Sequence, residues 1–323
     1  MHSGKKILIY SVIIISNFYS LLNAQEFKNY SQKILNESFI IEMISVNGGT
    51  FHMGTNAENR KSNEKPIHEV SVNDFWMGKY EITWDQYDAF VFGKFDSDQF
   101  KSQDKLNQFG IDGVSGATTP YVEMSFGMGK EDHPAINITH YAALMYCKWL
   151  TAKTGVFYRL PTEAEWEYVC KTGKTDSSDT NLNDIAWYDE NTNDKYERVG
   201  KKKPNTLGIY DMLGNVSEWV FDQYDPEFYK NAPSSNPVNL PKELYPRVVR
   251  GGSWKDTKDK VCCTYRGASK SKWKRRDPQI PKSDWWHTNA EFVGFRVVRP
   301  KNQPSADEIK SYWLNAIEDF GLN

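Results

Sequence analysis

The order of apolar and polar residues predicts short strands joined by long loops. Alternation with a period of two indicates strands that have one buried face. Short β-branched runs broken by glycine indicate strands that are buried on both faces. These patterns lie at Glu42–Met53 with a turn at Gly48, at Ile67–Lys79, at Arg247–Trp254 and at Phe292–Val298. The sequence therefore predicts an α+β protein with little regular secondary structure.

Capping signals predict where the helices begin. Thr83 and Gln86, Thr162 and Glu165, and Ser305 and Glu308 each form a capping-box pattern. A further helix is predicted over Thr139–Thr154, with Gly155 as its C-cap.

The faces of two of these helices follow from their spacing. The helix after Thr162 is predicted to bury Trp166 and Val169 and to expose Glu163 and Glu167. In the last helix Ile309, Trp313, Ile317 and Phe320 form one apolar stripe, which predicts a surface that packs on the body of the protein.

The first residues have the pattern of a targeting segment. Lys5 and Lys6 precede an apolar run from Ile7 to Leu22, and Ala24 provides a small residue for cleavage before Gln25. We expect residues 1–24 to be a signal peptide, 25–40 a loosely held lead-in, 41–300 one domain and 301–323 a docked C-terminal helix. The mature chain is expected to be exported, periplasmic or secreted, and without a transmembrane span.

Composition narrows the classes of partner. The net charge of −2 favours no nucleic-acid partner, and aromatic residues make up 14% of the chain. An exported chain with four cysteines could hold two disulfides, whose pairing the sequence leaves open.

The segment Leu207–Val220 contains the strongest candidate for a metal site. Asp211 and Glu218 are carboxylates in an otherwise apolar run, so each must be paired, hydrogen-bonded or bound to a cation. Carboxylate and carbonyl oxygens suit calcium. The alternative is that both acids only accept hydrogen bonds from turn amides.

Four motifs together resemble the formylglycine-generating enzyme family, also called the sulfatase-modifying factor family. They are RLPTEAEWEY (Arg159–Tyr168), LGIYDMLGNVSEW (Leu207–Trp219), RGGSW (Arg250–Trp254) and GFR (Gly294–Arg296). The resemblance runs from about Ile44 to Pro300. It implies a C-type lectin-like α+β fold with long loops. It also implies structural calcium held by the side chains of Asp211 and Glu218 and the carbonyls of Gly214 and Val216.

The same resemblance implies a copper site, which this chain matches only in part. Active family members use copper, held by two cysteines, and oxygen to oxidise a cysteine of a client sulfatase. The first cysteine position falls here on Asp256 or Thr257, and the second on Cys262. Cys262 and Cys263 are the remaining catalytic candidates, but neighbouring residues of a strand point to opposite faces. The copper-binding pair is therefore expected to be incomplete.

Family disulfides are also expected to be missing. Cys147 and Cys170 match positions that form disulfides in some members, whereas the positions of their partners fall on Gly267 and Val297. A related iron-dependent branch needs a set of His or carboxylate ligands, and no paired-histidine motif is found among the six histidines.

A binding module is the competing class. The segment Ser269–His287 combines tryptophans with Lys and Arg residues, and the resemblance places it beside the cleft in which family members bind client peptide. Candidate residues for the rim of a pocket are Ser253, Trp254, Arg266, Trp285 and His287. A sulfatase, another protein or peptide, or a carbohydrate could bind there.

The sequence thus predicts an exported family member without copper-dependent oxidase activity that is a sulfatase-associated or cell-envelope binding protein. Two alternatives stay open: an active formylglycine-generating oxidase, and a structural component of an envelope secretion or gliding assembly. In the last case the C-terminal apolar stripe would be the partner surface.

Overall fold

The computed structural model describes residues 26–34, 37–92, 119, 122–175, 181–273 and 287–314. The strands in this part of the chain are β1 (Tyr30–Lys33), β2 (Ile40–Val46), β3 (Gly49–Met53), β4 (His68–Val72), β5 (Phe75–Gly78), β6 (Ser217–Gln223), β7 (Arg247–Arg250), β8 (Gly267–Ala268), β9 (Val293–Phe295) and β10 (Val298–Pro300). The α-helices are α1 (Trp84–Phe92), α2 (His140–Thr154), α3 (Glu163–Thr172), α4 (Leu182–Ile185) and α5 (Ala306–Leu314). Single 3₁₀ turns span Ser62–Glu64, Phe228–Lys230 and Ser271–Trp273. The predicted α+β class with long loops is confirmed.

The strands form three small sheets. One has the order β1-β2-β5-β10, a second pairs β3 with β4, and a third has the order β8-β7-β6-β9. All neighbours are antiparallel except β6 and β9, which are parallel. In the third sheet Glu218 of β6 lies opposite Arg250 of β7 and Gly294 of β9. This register brings three of the sequence motifs together.

Two strand predictions need correction. The predicted strand Ile67–Lys79 is two strands, β4 and β5, that belong to different sheets. The predicted pair within Glu42–Met53 likewise divides, because β2 pairs with β1 and β5 whereas β3 pairs with β4. Period-two alternation marks a strand but does not identify the strand beside it.

The expected lead-in is partly structured. Strand β1 pairs with β2 along its whole length, and the hydroxyl of Tyr30 lies 2.8 Å from that of Tyr158. This corrects the prediction of a loosely held segment over residues 25–40. The predicted signal peptide, residues 1–24, lies outside the described residues.

The predicted helix starts are confirmed. Thr139 caps α2 by accepting a hydrogen bond from the amide of Ala142, and Gly155 ends the helix at a φ of 67°. Thr162 and Glu165 form a complete capping box at the start of α3. Ser305 accepts a hydrogen bond from the amide of Glu308 at the start of α5.

Both faces of α3 are buried, contrary to the amphipathic prediction. Glu163 and Glu167 are 1% and 0% exposed because each carboxylate binds the guanidinium of Arg250, at 2.8 and 2.7 Å. Helical spacing alone does not reveal that a distant strand supplies the counter-charge.

The C-terminal helix docks on the domain, as predicted for its first half. Ile309 and Trp313 are buried and form a small apolar cluster with Phe157. The predicted stripe residues Ile317 and Phe320 lie outside the described residues.

Candidate functional site

The turn before β6 has an unusual backbone. Asp211 and Asn215 adopt positive φ values of 53° and 52°, and Gly214 adopts 73°. A Cβ atom on Gly214 would lie 2.2 Å from the carbonyl oxygen of Trp187, so only glycine fits there. The turn places Asp211 and Glu218 in the interior, where each is at most 2% exposed.

Glu218 is the partner of a buried arginine. Arg296 donates to the two carboxylate oxygens of Glu218, from Nε at 2.7 Å and from Nη2 at 2.6 Å. The indole Nε1 of Trp166 adds a third hydrogen bond at 3.0 Å. This bidentate pairing of motifs LGIYDMLGNVSEW and GFR satisfies Glu218 without a metal ion.

A second group of carboxylates beside this pair has unsatisfied oxygens. Asp211 Oδ2 accepts a hydrogen bond from the amide of Gly200 at 2.6 Å, whereas Oδ1 has no partner. Both carboxylate oxygens of Glu81 are also buried without a partner. Burial, and then the nearby charge of Asp211, raises the pKa of Glu81 well above its usual range. Burial likewise raises the pKa of Asp211 to about 6.

These residues fit the implied calcium ion in part. Glu81, Asp211 and Glu218 lie near one guanidinium, that of Arg296, and the ammonium of Lys202 also acts on Asp211, so a further cation or a bound proton is needed to balance the remaining negative charge. Asp211 has an oxygen available, but both oxygens of Glu218 bind Arg296. No group of three or more His, Cys, Asp or Glu side chains within the described ranges is arranged to hold a metal ion. Calcium at Asp211, Gly214, Val216 and Glu218 stays a prediction, and Glu81 is the acid that the sequence reasoning missed.

The sequence contains a pattern that could have identified Glu81 as a buried acid. It lies in the run Met77–Trp84, which is apolar or aromatic apart from Lys79, Glu81 and Thr83. The reasoning that selected Asp211, a carboxylate among buried residues, applies equally to Glu81.

A buried ion network supports the motif that precedes the copper position. Arg266 binds Glu163 through Nε at 2.7 Å and Nη2 at 2.9 Å, and Arg250 bridges Glu163 and Glu167. All four side chains are at most 2% exposed. Together they tie α3 to β7 and to the segment that leads into β8, so Glu163 has a structural partner.

The structure assigns one disulfide, whose pairing the sequence left open. Cys170 of α3 is bonded to Cys263, a pairing different from the family bridges, whose partner positions fall on Gly267 and Val297. Cys263 is therefore not a thiolate ligand in this form of the protein. Cys147 is a free thiol in the core, and Cys262 is the other free thiol.

Cys262 lies apart from any second thiol. Its Sγ contacts the guanidinium of Arg60, which also binds Glu64 at 2.8 Å. Burial raises the pKa of Cys262, and the charge of Arg60 opposes that shift. One half-buried thiol does not provide the pair of thiolates that reduced copper prefers.

Asp256 is one of the two residues, with Thr257, on which the earlier copper-ligand position is predicted to fall. Its carboxylate accepts a hydrogen bond from Ser253 Oγ at 2.7 Å and pairs with Lys260 at 3.0 Å. One contact comes from the serine of the Gly-Gly-Ser motif and the other from the segment that follows it. The carboxylate of Asp256 is therefore held by its own neighbours.

A cleft of about 750 Å³ opens beside Asp256. Its walls come from the turn at Ser62, the start of β6, strand β8 and the turn at Trp273. The lining includes Lys61, Asn63, Ser217, Tyr224, Asp256, Lys260, Tyr265, Arg266, Gly267, Ala268, Lys270, Lys272, Trp273 and Phe292. Basic and aromatic side chains dominate this surface.

The five predicted rim residues do not form one pocket. Arg266 lines the cleft from its buried end, whereas Ser253 and Trp254 are buried beneath the neighbouring segment. His287 lines a separate cavity of about 190 Å³ together with Trp84. Trp285 lies outside the described residues.

Comparison with known proteins identifies the family. A model of the sulfatase-modifying factor enzyme 1-like domain matches residues 32–301. Since this match covers most of the chain, the protein belongs to the sulfatase-modifying factor family. This family comprises the formylglycine-generating enzymes that the motifs resemble.

Relatives within the family are distant. The chain is 28% identical to serine/threonine-protein kinase Pkn1 of Chlamydia trachomatis over 73% of this chain and 37% of that protein. It is 28% identical to the formylglycine-generating enzyme of Bos taurus over 71% of this chain and 70% of that enzyme. It is 24% identical to the inactive C-alpha-formylglycine-generating enzyme 2 of Bos taurus over 68% of this chain and 78% of that protein. The chain thus spans less than two fifths of the kinase.

A solved structure has the same fold. PvdO from Pseudomonas aeruginosa superposes with a TM-score of 0.58 and 23% identity, and covers 84% of this chain and 99% of its own. The predicted family fold is confirmed. No helix in the described part of the chain is long and apolar enough to span a membrane.

Proposed function

We propose that this protein is a binding member of the family that lacks copper-dependent oxidase activity. The observation that carries the proposal is the side chain at the first copper-ligand position. That position falls on Asp256 or Thr257, neither of which offers a thiolate, and the carboxylate of Asp256 is already bound by Ser253 and Lys260. A hard, already paired oxygen ligand does not replace a thiolate for reduced copper.

The state of the other cysteines supports the same proposal. Cys262 has no neighbouring free thiol, because the adjacent Cys263 is bound to Cys170. The similarity to a protein named as an inactive formylglycine-generating enzyme fits a non-catalytic role. The ligand would bind in the cleft next to Asp256, whose basic and aromatic walls offer charge and contact area.

Export is part of the proposal. The N-terminal segment has the charge and apolar pattern of a signal peptide. The disulfide between Cys170 and Cys263 suits an oxidising compartment, such as the periplasm or the cell exterior. A sulfatase or another envelope protein would be the partner there.

A turnover assay tests the proposal. The mature protein, loaded with copper under air, is incubated with a cysteine-containing sulfatase peptide, and mass spectrometry follows replacement of the thiol by an aldehyde. We expect no conversion, with an active formylglycine-generating enzyme as the positive control. Conversion that is lost in Cys262→Ser would refute the proposal and establish the oxidase alternative.

A further inference from the structure

The cleft carries positive charge that the protein does not neutralise. Of its cations, Lys260 pairs with Asp256 and Arg266 pairs with Glu163. The other three cations, Lys61, Lys270 and Lys272, are exposed and make no ion pair with an acidic side chain in the described part of the chain. These three ammonium groups around one concave surface attract an anionic ligand, although Asp259 lies near enough to Lys61 to offset part of its charge.

Aromatic rings provide the contact area between these charges. Tyr224, Tyr265, Trp273 and Phe292 line the cleft and are half-buried. The rings are fixed by their neighbours: Trp273 packs edge-on against Phe292 with centroids 5.2 Å apart, and Lys61 lies 5.0 Å from the centroid of Tyr265. Fixed rings offer apolar surface with little loss of side-chain entropy on binding.

The floor of the cleft includes the edge of a sheet. Among the described strands β8 pairs with β7 alone, and both of its residues line the cleft. The amide of Ser269 donates a hydrogen bond to the carbonyl of Arg247 at 2.9 Å. In an antiparallel pair, hydrogen-bonded residues alternate with residues whose backbone groups point away from the neighbouring strand. The N–H and C=O of Ala268, the preceding residue, therefore point away from β7. The side chains here are small, and a further strand can approach this edge.

From this juxtaposition we infer that the cleft binds an extended acidic segment of a partner protein, which adds a strand to β8 and places its carboxylates on Lys61, Lys270 and Lys272. Strand addition supplies main-chain hydrogen bonds, while the charges and rings select the side chains. The inference rests on the proposed function, since it names the ligand class of the proposed binding cleft. An edge strand favours a peptide over an anionic saccharide, because a saccharide has no regular amide ladder to match it.

Fluorescence anisotropy tests the inference with the intact mature protein. The probe is a short fluorescein-labelled peptide of alternating Glu and Val. Matched probes replace Glu with Lys or with Thr. We expect binding of the Glu peptide alone, which weakens as salt is added. An N-methylated Glu peptide keeps the charge but lacks alternate amide donors, and we expect it to bind at least about tenfold more weakly.

Protein variants test the assigned lysines. Lys270→Glu with Lys272→Glu should weaken binding of the Glu peptide roughly tenfold or more. The control Lys201→Glu with Lys310→Glu reverses the same number of exposed lysines away from the cleft and should leave binding unchanged. Circular dichroism and thermal unfolding of both double variants establish that they fold.

Each outcome decides the question. The inference is wrong if the Glu peptide binds the Lys270→Glu with Lys272→Glu variant as tightly as wild type, or if N-methylation does not weaken its binding. The protein could instead bind dextran sulfate and not the Glu peptide. If that binding is lost in the Lys270→Glu with Lys272→Glu variant, the peptide assignment is wrong and the cleft binds an anionic saccharide. The proposed absence of oxidase activity is judged separately by the turnover assay, so either claim can fail alone.

Discussion

Cys170 in α3 is disulfide-bonded to Cys263, the residue next to the free thiol of Cys262. The bond fixes the segment after the Gly-Gly-Ser motif against α3. It also means that Cys263 has no free thiol beside Cys262. The predicted first copper-ligand position falls on Asp256 or Thr257, and neither residue has a thiol. The scaffold of the family site is thus retained while its metal chemistry is not supported.

Removal of this disulfide should destabilise the protein strongly. The bond closes a loop with a sequence separation of 93, and loss of such a cross-link costs on the order of 4 kcal/mol through the unfolded chain. We expect Cys170→Ala with Cys263→Ala to lower the free energy of unfolding by about this amount in urea titrations. The control Cys262→Ser should change it by less than about 1 kcal/mol, because that thiol is only half-buried.

The same bond predicts a thiol count. In denaturant without reductant, two of the four cysteines should react with a thiol reagent, and all four after reduction. Four reactive thiols before reduction would contradict the assigned disulfide.

Arg250 should be essential for the fold. Its guanidinium is fully buried between Glu163 and Glu167, so Arg250→Ala removes a shared cation from two buried carboxylates and leaves them with Arg266 and Lys171 as their remaining cationic partners. Removing one partner of a buried pair costs about 3–5 kcal/mol. The control Arg198→Ala breaks an exposed pair with Glu131 and should cost less than about 1 kcal/mol. Equal unfolding free energies for the two variants would show that the network does not support the fold.

Asp222 should make stability depend on pH. It is buried and accepts hydrogen bonds from the amides of Asn239 and Glu163, both at 2.8 Å. Burial, followed by the charge of Glu163, raises its pKa to about 7. The folded state therefore holds a proton that the unfolded chain releases near pH 4, and the contribution of Asp222 to stability falls as pH rises from about 4 to about 7.

The measurement is urea unfolding of wild type and Asp222→Asn across this range. The Asn side chain has one acceptor oxygen where Asp has two, and it does not titrate, so the stability lost through the substitution itself does not vary with pH. We expect the free energy of unfolding of wild type to fall by on the order of 3 kcal/mol relative to that of the variant between about pH 4 and pH 7. Well above pH 7 the difference should stay constant. A difference that does not vary with pH would show that Asp222 is not protonated in the folded protein.

Calcium should stabilise the protein if the predicted site exists. The unpartnered oxygens of Asp211 and Glu81 would gain a cation, and a ligand that binds only the folded state raises the melting temperature with its concentration. We expect calcium to raise the melting temperature of chelator-treated protein, and Asp211→Asn or Glu81→Gln to abolish that rise. The exposed control Asp189→Asn should keep it. A melting temperature that does not respond to calcium would mean that bound protons alone balance these acids.

Local signals predicted much of the fold. Capping residues such as Thr139 and Thr162 fixed the helix starts, because the cap hydrogen bonds lie within three residues of sequence. Strand pairing could not be predicted in the same way. The alternation in Ile67–Lys79 is shared by β4 and β5, and only distant partners assign them to different sheets.

The site was less predictable for a related reason. A carboxylate among apolar residues signals burial, which identified Asp211 and could have identified Glu81. Which counter-charge each acid meets depends on contacts far apart in sequence. Arg296 reaches Glu218 across a separation of 78, and Cys170 reaches Cys263 across 93. Of the rim residues that the family resemblance suggested, Arg266 is the one that lines the cleft within the described ranges, and the lining lysines emerge from the assembled surface.

Titration of the purified mature protein with reduced copper under anaerobic conditions tests the central claim most directly. Absorption of the thiolate–metal bond is monitored for wild type, Cys262→Ser and Asp256→Cys, the last of which introduces a thiol at one of the two residues on which the missing position falls. We predict no tight binding by wild type, since Cys262 is its only thiol near the cleft that is not in a disulfide or the core. Tight one-to-one binding by wild type that is lost in Cys262→Ser would contradict the account and support the oxidase alternative.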